Sequence, residues 1–222
     1  MKKKLFLTAM FLTFAGLIWA QSAQGVIQRI TGEVEIKHPG SSVFTAAAEE
    51  EKISESAVIS TGFRSTAIIA IGSSVITVRP LTRLTLAEIQ SMENSENINV
   101  NLQTGRVRVE VKPPSGSRAN FTLQSPSVTA SVRGTIFETD GFNLNTVEGI
   151  VDVKGNNNAP AVPVAAGLST YMNSESNPAD PFAVALSASA VEPIEGTQDV
   201  SRKTAEADSP ATSGELIMTP EL

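Results

Sequence analysis

The sequence predicts an all-β domain, a sandwich or barrel of about a dozen short strands. Apolar and polar residues alternate in one short segment after another, turn signals recur roughly every eight to twelve residues, and no long helical period is present. Aromatic residues make up only 5% of the chain, so Val, Ile, Leu and Ala must fill the core. Such a core suits thin β layers rather than a deep cofactor pocket.

The first half of this domain contains five predicted strands. Residues 25–38 read as one half-buried strand, because apolar residues occupy the even positions 26, 30, 34 and 36. A turn follows at residues 39–42, and residues 46–52 are readable either as a helical turn or as a loop. Four more strands are predicted at residues 58–60, 66–71, 74–78 and 84–89.

The middle of the chain predicts a hairpin. Residues 91–97 are polar and are expected to form a loop. Two regularly alternating segments, 98–102 and 107–111, flank a turn at residues 103–105. The prolines and glycine within residues 113–116 end the second strand.

The most informative stretch is residues 125–153. Val128, Ala130 and Val132 share one parity, whereas Phe137 carries the opposite one, so the pattern slips at residues 133–135. A slip at a glycine indicates a β-bulge or tight bend, and Gly134 is required there if the backbone needs a positive φ.

Two further features complete this stretch. Asp140-Gly141 predicts a hairpin turn, and residues 147–153 predict a second alternating strand. Further predicted strands lie at residues 121–123 and 169–171, with a loop at 156–158 between the last two strands.

These motifs resemble the FecR-type extracytoplasmic domain family. Residues 129–137 are similar to that family's VRGT.F.V signature, and residues 147–153 to its following V.EG.V.V strand. Residues 59–78 and 102–107 resemble two earlier segments in the expected order, so the resemblance spans roughly residues 32–171.

The resemblance implies a jelly-roll-like pair of sheets and a role in extracytoplasmic interaction. It identifies a signature for which a structural role is favoured over a binding role: Val132, Arg133, Gly134, Thr135, Phe137, Glu148 and Gly149. The Arg133 guanidinium could grip a carboxylate or phosphate, but hydrogen bonds to loop carbonyls that fix the bend are favoured. In the best-known members the domain relays a signal from an outer-membrane receptor through a membrane helix. This sequence departs from that plan, because no internal membrane span is predicted.

The two ends of the chain differ from the domain. Residues 1–23 combine three lysines with an apolar run of 16 residues, which predicts a secretory signal peptide rather than a bilayer span of about 20 residues. The domain is expected at residues 25–172. Residues 173–222 form an acidic, low-complexity tail predicted to be disordered. The protein is therefore expected to be periplasmic or secreted, or membrane-tethered if the signal is retained.

Composition excludes several kinds of site. The chain has no cysteine and a single histidine, His38, so a zinc site lacks its usual ligands and no cofactor is expected. His38 follows a strand on its apolar parity, which favours a structural role. The net charge of −6 disfavours a nucleic-acid binder.

The remaining charged candidates have ordinary readings. The carboxylate pairs Glu33/Glu35 and Glu138/Asp140 lie on polar strand faces. Carboxylates on such a face usually contact solvent and do no chemistry, so no catalytic residue is assigned. Residues 49–51 form an acidic run with weak calcium binding as a remote alternative. Arg106 and Arg108 are either surface charge or one rim of a partner site.

These observations predict an exported, non-enzymatic module that binds an envelope protein, by strand addition at a sheet edge or through loops. The alternative is a jelly-roll carbohydrate-binding module for envelope or extracellular glycan. The scarcity of aromatic residues disfavours that alternative.

Overall fold

The computed structural model describes residues 24–92, 94–113, 115–157 and 160–189. Seventeen strands and one helix, α1 (Pro181–Ser189), lie in this part of the chain. The predicted signal peptide, residues 1–23, and the tail beyond residue 189 lie outside the described residues.

The strands form two sheets. Sheet A has eight strands: β1 (Gly25–Thr31), β4 (Lys52–Ile53), β6 (Thr66–Ile71), β7 (Ser74–Val78), β10 (Val107–Val111), β13 (Ile136–Thr139), β14 (Asn143–Glu148) and β17 (Ser169–Tyr171). Sheet B has nine: β2 (Val34–Lys37), β3 (Thr45–Ala46), β5 (Val58–Thr61), β8 (Arg83–Met92), β9 (Ser95–Thr104), β11 (Arg118–Gln124), β12 (Val128–Val132), β15 (Ile150–Gly155) and β16 (Val162–Ala165).

The two sheets enclose one core, which confirms the predicted β-sandwich. The inward residues of both sheets are mainly Ile, Val, Leu and Ala, as the low aromatic content requires. Phe121 from sheet B and Phe137 from sheet A are its largest fully buried side chains. The strands outnumber the predicted dozen partly because β3 and β4 have only two residues each.

The connections differ from those of a jelly roll. A jelly roll contains Greek keys, in which a strand returns by a long connection to lie beside one distant in the chain. Here the order in sheet A is 17-14-13-10-7-6-1-4 and in sheet B 16-15-12-11-9-8-5-2-3. Neighbouring strands are therefore close in sequence, and the chain advances from one edge of the sandwich to the other by crossing between the sheets.

Every crossing between the sheets contains one residue with a left-handed backbone. The ten crossings in the described residues have such a residue at Gly32, Glu50, Ser56, Arg64, Leu81, Gly105, Gly116, Gly134, Gly149 and Gly167, with φ between +56° and +94°. Six are glycine, which adopts this conformation without steric penalty. Leu81 is the only apolar side chain in the set.

One predicted hairpin and one predicted strand are wrong because of these crossings. Residues 98–102 and 107–111 do not form a hairpin: β9 pairs with β8 and β11 in sheet B, and β10 with β7 and β13 in sheet A. Residues 147–153 are not one strand, since β14 ends at Glu148 and β15 begins at Ile150 in the other sheet. Alternation reports one buried face, and it says nothing about which strand lies alongside.

Two other strand boundaries also differ from prediction. Residues 25–38 are two strands, β1 and β2, which lie in different sheets. A bulge after Ile27 places that residue in the core, whereas Val26 is only half-buried. The loop predicted at residues 91–97 is mostly strand, because β8 and β9 pair as far as Met92 and Ser95.

The edges of the sheets are short or covered. Edge strands β3 and β4 have two residues each, and β16 carries Pro163, which has no N–H to donate. On the remaining edge, the Ala179 N–H donates to the Tyr171 carbonyl at 2.9 Å. Such edges are poor templates for an added strand, so loops are the better candidates for partner contact.

The predicted tail begins with ordered contacts. Besides the Ala179 N–H bond, the Thr170 hydroxyl donates to the Ala179 carbonyl at 2.7 Å. Met172 and Pro178 form an isolated bridge, and α1 follows within the segment that was expected to be disordered.

Truncation tests where the domain ends. A chain ending at Met172 is expected to melt about 2–6 °C below one ending at Ala185, because it loses the bonds that cover β17. Thermal unfolding monitored by circular dichroism measures the difference. Equal melting temperatures would support the domain boundary that the sequence predicts at residue 172.

Candidate functional site

Four connections meet at one end of the sandwich, here called the loop end. They are residues 62–65, 79–82, 105–106 and 140–142, which follow strands β5, β7, β9 and β13. Backbone hydrogen bonds join neighbouring connections: the Leu81 N–H donates to the Gly62 carbonyl at 3.2 Å, and the Arg79 N–H to the Arg106 carbonyl at 3.0 Å. The loop end is thus a continuous surface.

Two buried threonines hold these connections in place. The Thr61 hydroxyl donates to the Arg79 carbonyl at 2.6 Å and accepts from the Thr82 N–H at 3.0 Å. The Thr82 hydroxyl accepts from the Arg106 N–H at 2.9 Å. Because both side chains are almost fully buried, these bonds form away from water and fix the positions of three connections.

The turn at residues 140–142 is equally constrained. The Asp140 carboxylate accepts hydrogen bonds from the N–H groups of Phe142 at 3.0 Å and Asn143 at 2.8 Å. The Ser125 hydroxyl donates to the Gly141 carbonyl at 2.9 Å. This confirms the predicted Asp140-Gly141 turn and gives Phe142 a fixed position.

Apolar side chains project from this rigid base. Phe63 is 72% exposed, Leu81 61% and Phe142 59%. A groove of about 620 Å³ lies between Leu81 and Phe142, and Arg79 and Arg106 also line it. Large apolar side chains beside arginines on a preorganised surface are typical of protein-binding sites.

A ladder of ion pairs crosses the floor of the groove and the outer face of sheet A. Glu138 Oε1 lies 3.2 Å from both Arg79 Nη2 and Arg108 Nη1, and Arg106 Nη2 lies 3.6 Å from Asp140 Oδ2. Arg108 Nε also contacts Glu110 Oε1 at 3.3 Å. The structure thus brings together the predicted candidates Arg106, Arg108 and the Glu138/Asp140 pair.

The ladder keeps both carboxylates ionised. Burial raises the pKa of Glu138, but hydrogen bonds from Arg108 and Arg79 outweigh it and hold the pKa below its ordinary value. Burial also raises the pKa of Asp140, and hydrogen bonds from Asn143 and Phe142, with the charge of Arg106, lower it overall. The Glu138 hydrogen bond raises the pKa of Arg108. A general acid needs a raised carboxyl pKa, so this pair does not suit acid catalysis.

The pKa of Glu138 predicts a pH-dependent stability difference. A lowered folded-state pKa stabilises the protein above the unfolded value and loses this effect as pH falls through the folded value. Glu138→Gln is therefore expected to melt up to about 2–4 °C below wild type near pH 7. The two melting curves should converge once the pH falls below the lowered folded-state pKa of Glu138, because the carboxyl group is then protonated. A difference that persists at the lower pH would contradict the assignment.

The signature residues lie at the opposite end, here called the signature end. Arg133, Gly134 and Thr135 connect β12 to β13, Glu148 is the last residue of β14, and Gly149 connects β14 to β15. Gly134 has a φ of +85°, so the backbone does adopt the positive φ for which glycine was predicted. Val132, Thr135 and Phe137 are buried, whereas Glu148 is exposed.

The Arg133 side chain does not form the predicted hydrogen bonds to loop carbonyls. Its side chain is exposed and forms no hydrogen bond or ion pair with the residues that the structure describes. A backbone hydrogen bond joins the bend to β10: the Val111 N–H donates to the Thr135 carbonyl at 2.9 Å. Arg133 also lies far along the strands from the groove, at the other end of β12 and β13.

The other candidates lie elsewhere. His38 Nε2 lies 3.1 Å from Glu51 Oε1 just after β2. Glu49 and Glu51 accept hydrogen bonds from the N–H groups of Ile30 and Ala48, respectively. Within the described ranges, no three His, Cys, Asp or Glu side chains lie together in a way that could hold a metal ion.

A comparison with protein families finds a match to the central part of the chain. Residues 57–154 match the model of the FecR protein family. This segment is a FecR domain. The match includes the signature residues, the crossing at Leu81 and the turn at Asp140, and it confirms the resemblance over a shorter range than residues 32–171. No curated protein matches the sequence.

Solved structures give a looser likeness. Two crystal structures of a proposed anti-sigma factor from Parabacteroides distasonis are 14% and 13% identical, each with a TM-score of 0.44. The first alignment covers 58% of this chain and 62% of the other, and the second covers 67% and 74%. The present chain thus spans less than two thirds of the length of the first of these structures.

Sequence reasoning missed the apolar part of the site. The sequence indicates Arg106 either as surface charge or as one rim of a partner site, but Phe63, Leu81 and Phe142 lie in turns, where alternation gives no sign of them. A signal was present, because Leu81 follows Arg79-Pro80, and an apolar residue inside a proline turn has little access to a core.

No helix among the described residues is both long enough and apolar enough to cross a membrane.

Proposed function

We propose that this protein is an exported, non-enzymatic module that binds a cell-envelope protein through the loop end of its sandwich, in a signalling role. The observation that carries the proposal is the backbone conformation and exposure of Leu81. This residue combines a φ of +57° with 61% exposure at the rim of the groove. Backbone strain at an exposed apolar residue is expected where the side chain serves a contact, because neither folding nor solubility benefits from it.

The surroundings of Leu81 support a protein partner. Phe63 and Phe142 extend the apolar surface on either side, and the exposed Arg79 and Arg106 guanidinium groups can exchange Asp and Glu partners within the chain for those of another protein. Rigid connections lower the entropy lost on binding. Export is supported by the basic start and apolar run within residues 1–23.

Photo-crosslinking in living cells tests this proposal. A photoreactive phenylalanine analogue replaces Phe142 in one strain and Ile150 in another, and crosslinked proteins are identified by mass spectrometry. Ile150 is 57% exposed and lies at the signature end, so it is a matched control.

The expected result is one envelope protein captured at position 142 and absent at position 150. Capture of the same proteins at both positions, or of none at position 142, would contradict a loop-end site. N-terminal sequencing of the mature protein from the same cells tests export, and an intact N terminus on cytoplasmic protein would refute it.

A further inference from the structure

The outer face of sheet B has an unusual composition. The outward residues of β9 are Asn97, Asn99, Asn101 and Gln103, and those of the adjacent β11 include Asn120, Thr122 and Gln124. Asparagine is depleted in strands because it packs poorly on a pleated surface. Its repeated use on one face of β9, where Thr or Val would be more stable, indicates a role other than folding.

The strand register arranges these groups as a lattice. One row crosses five strands through Glu88, Asn99, Thr122, Ser131 and Asp152. A second row passes through Thr85, Asn101, Gln124, Thr129 and Lys154. With strands about 4.8 Å apart and successive outward residues about 6.8 Å apart, the rows cover about 19 Å across the sheet.

Hydrogen bonds hold the amides of Asn97, Asn99 and Asn120 in fixed orientations. The Asn120 Nδ2 group donates to Asn97 Oδ1 at 2.8 Å, and the Asn99 Nδ2 group donates to Glu88 Oε2 at 2.6 Å. Each amide has two donors and a carbonyl oxygen with two acceptor sites, so one such bond leaves further donors and acceptors facing solvent. The face is therefore a preorganised set of paired donors and acceptors.

The chemistry of the face selects the kind of ligand. The core of a protein interface is apolar, but the apolar residues of β9 and β11 point into the sandwich. Nucleic acids need a basic surface, whereas here the charged residues Glu88, Asp152 and Lys154 lie at the margins of the rows. A sugar hydroxyl both donates and accepts, which matches an amide, and a polymer presents such groups at regular intervals.

We propose that the outer face of sheet B, centred on Asn99, Asn101, Asn120 and Thr122, binds a neutral polysaccharide. This is a second site, on a different surface from the loop end, and it does not depend on the proposed protein partner. Binding proceeds by many hydrogen bonds without aromatic stacking, so each repeat unit contributes weakly and long chains bind better than short ones.

Affinity electrophoresis of the full chain tests this proposal. Native gels contain barley β-glucan, galactomannan or dextran, and a further gel contains the acidic polysaccharide alginate. Wild type is expected to be retarded by at least one neutral polymer. Asn99→Thr/Asn101→Thr should weaken apparent binding about tenfold or more while folding at least as stably, since threonine is the better strand former.

The control variant is Asn145→Ala/Ser169→Ala, which removes an exposed amide–hydroxyl pair from the outer face of sheet A. It should migrate like wild type. The proposal is overturned if no neutral polymer retards wild type, if the threonine variant is retarded as strongly as wild type, or if alginate alone causes retardation.

Discussion

Replacing Gly149 by alanine is expected to lower the free energy of unfolding by about 2–4 kcal/mol. Two effects add at this position. The backbone has a φ of +82°, which costs an L-residue about 1–2 kcal/mol. A Cβ atom would also lie 2.5 Å from Thr135 Cγ2 and 2.9 Å from the Gly134 carbonyl oxygen, so one of two stacked crossings has to move.

Gly40→Ala is the matched control for the Gly149 variant. Gly40 has a similar φ of +77°, but nothing lies within 4 Å of an added Cβ. Gly40→Ala should therefore lower the free energy of unfolding by about 1–2 kcal/mol, from backbone strain alone. Chemical denaturation of both variants measures the difference. Equal losses would show that the close packing of the two crossings at the signature end contributes nothing.

Leu81→Gly is expected to separate stability from binding. Glycine relieves the positive φ, which is worth about 1–2 kcal/mol, but it adds freedom to the unfolded chain worth about 0.4–1 kcal/mol. The free energy of unfolding should therefore rise slightly or stay unchanged. Partner binding should fall about tenfold or more, because the exposed leucine side chain at the groove is lost.

Ser56→Gly is the control for this separation. Ser56 has a φ of +65° in another crossing, between β4 and β5, and it lies away from the groove. The stability change should be comparable to that of Leu81→Gly, with partner binding unchanged. A loss of binding in the Ser56 variant would mean that rigidity of the crossings, rather than the Leu81 side chain, controls recognition.

The fold could be predicted as a class but not as a topology. Alternation located most strands, because each sheet buries one face and the pattern records that face directly. The partners of each strand could not be read, since glycine ends a strand in the same way at a hairpin and at a crossing. Gly105 and Gly149 were therefore read as parts of a hairpin and of a strand, whereas both carry the chain between sheets.

Little of the candidate site could be predicted from the sequence. Arg106 is open to interpretation as surface charge or as one rim of a partner site, whereas the pattern favours solvated charge for Glu138 and Asp140. The apolar half depends on four connections that are separated in sequence and meet only after the sheets form. The amide face was hidden for a similar reason: alternation marked Asn97, Asn99 and Asn101 as outward, but not that Asn120 and Thr122 lie alongside.

The most direct test of the loop-end site is the affinity of the crosslinked partner for three purified proteins: wild type, Leu81→Gly and Ser56→Gly. Isothermal titration calorimetry, with melting temperatures recorded on the same samples, gives both quantities. The account predicts that Leu81→Gly alone binds about tenfold more weakly while melting no lower than wild type. If Leu81→Gly binds as tightly as wild type, the loop end is not the partner site.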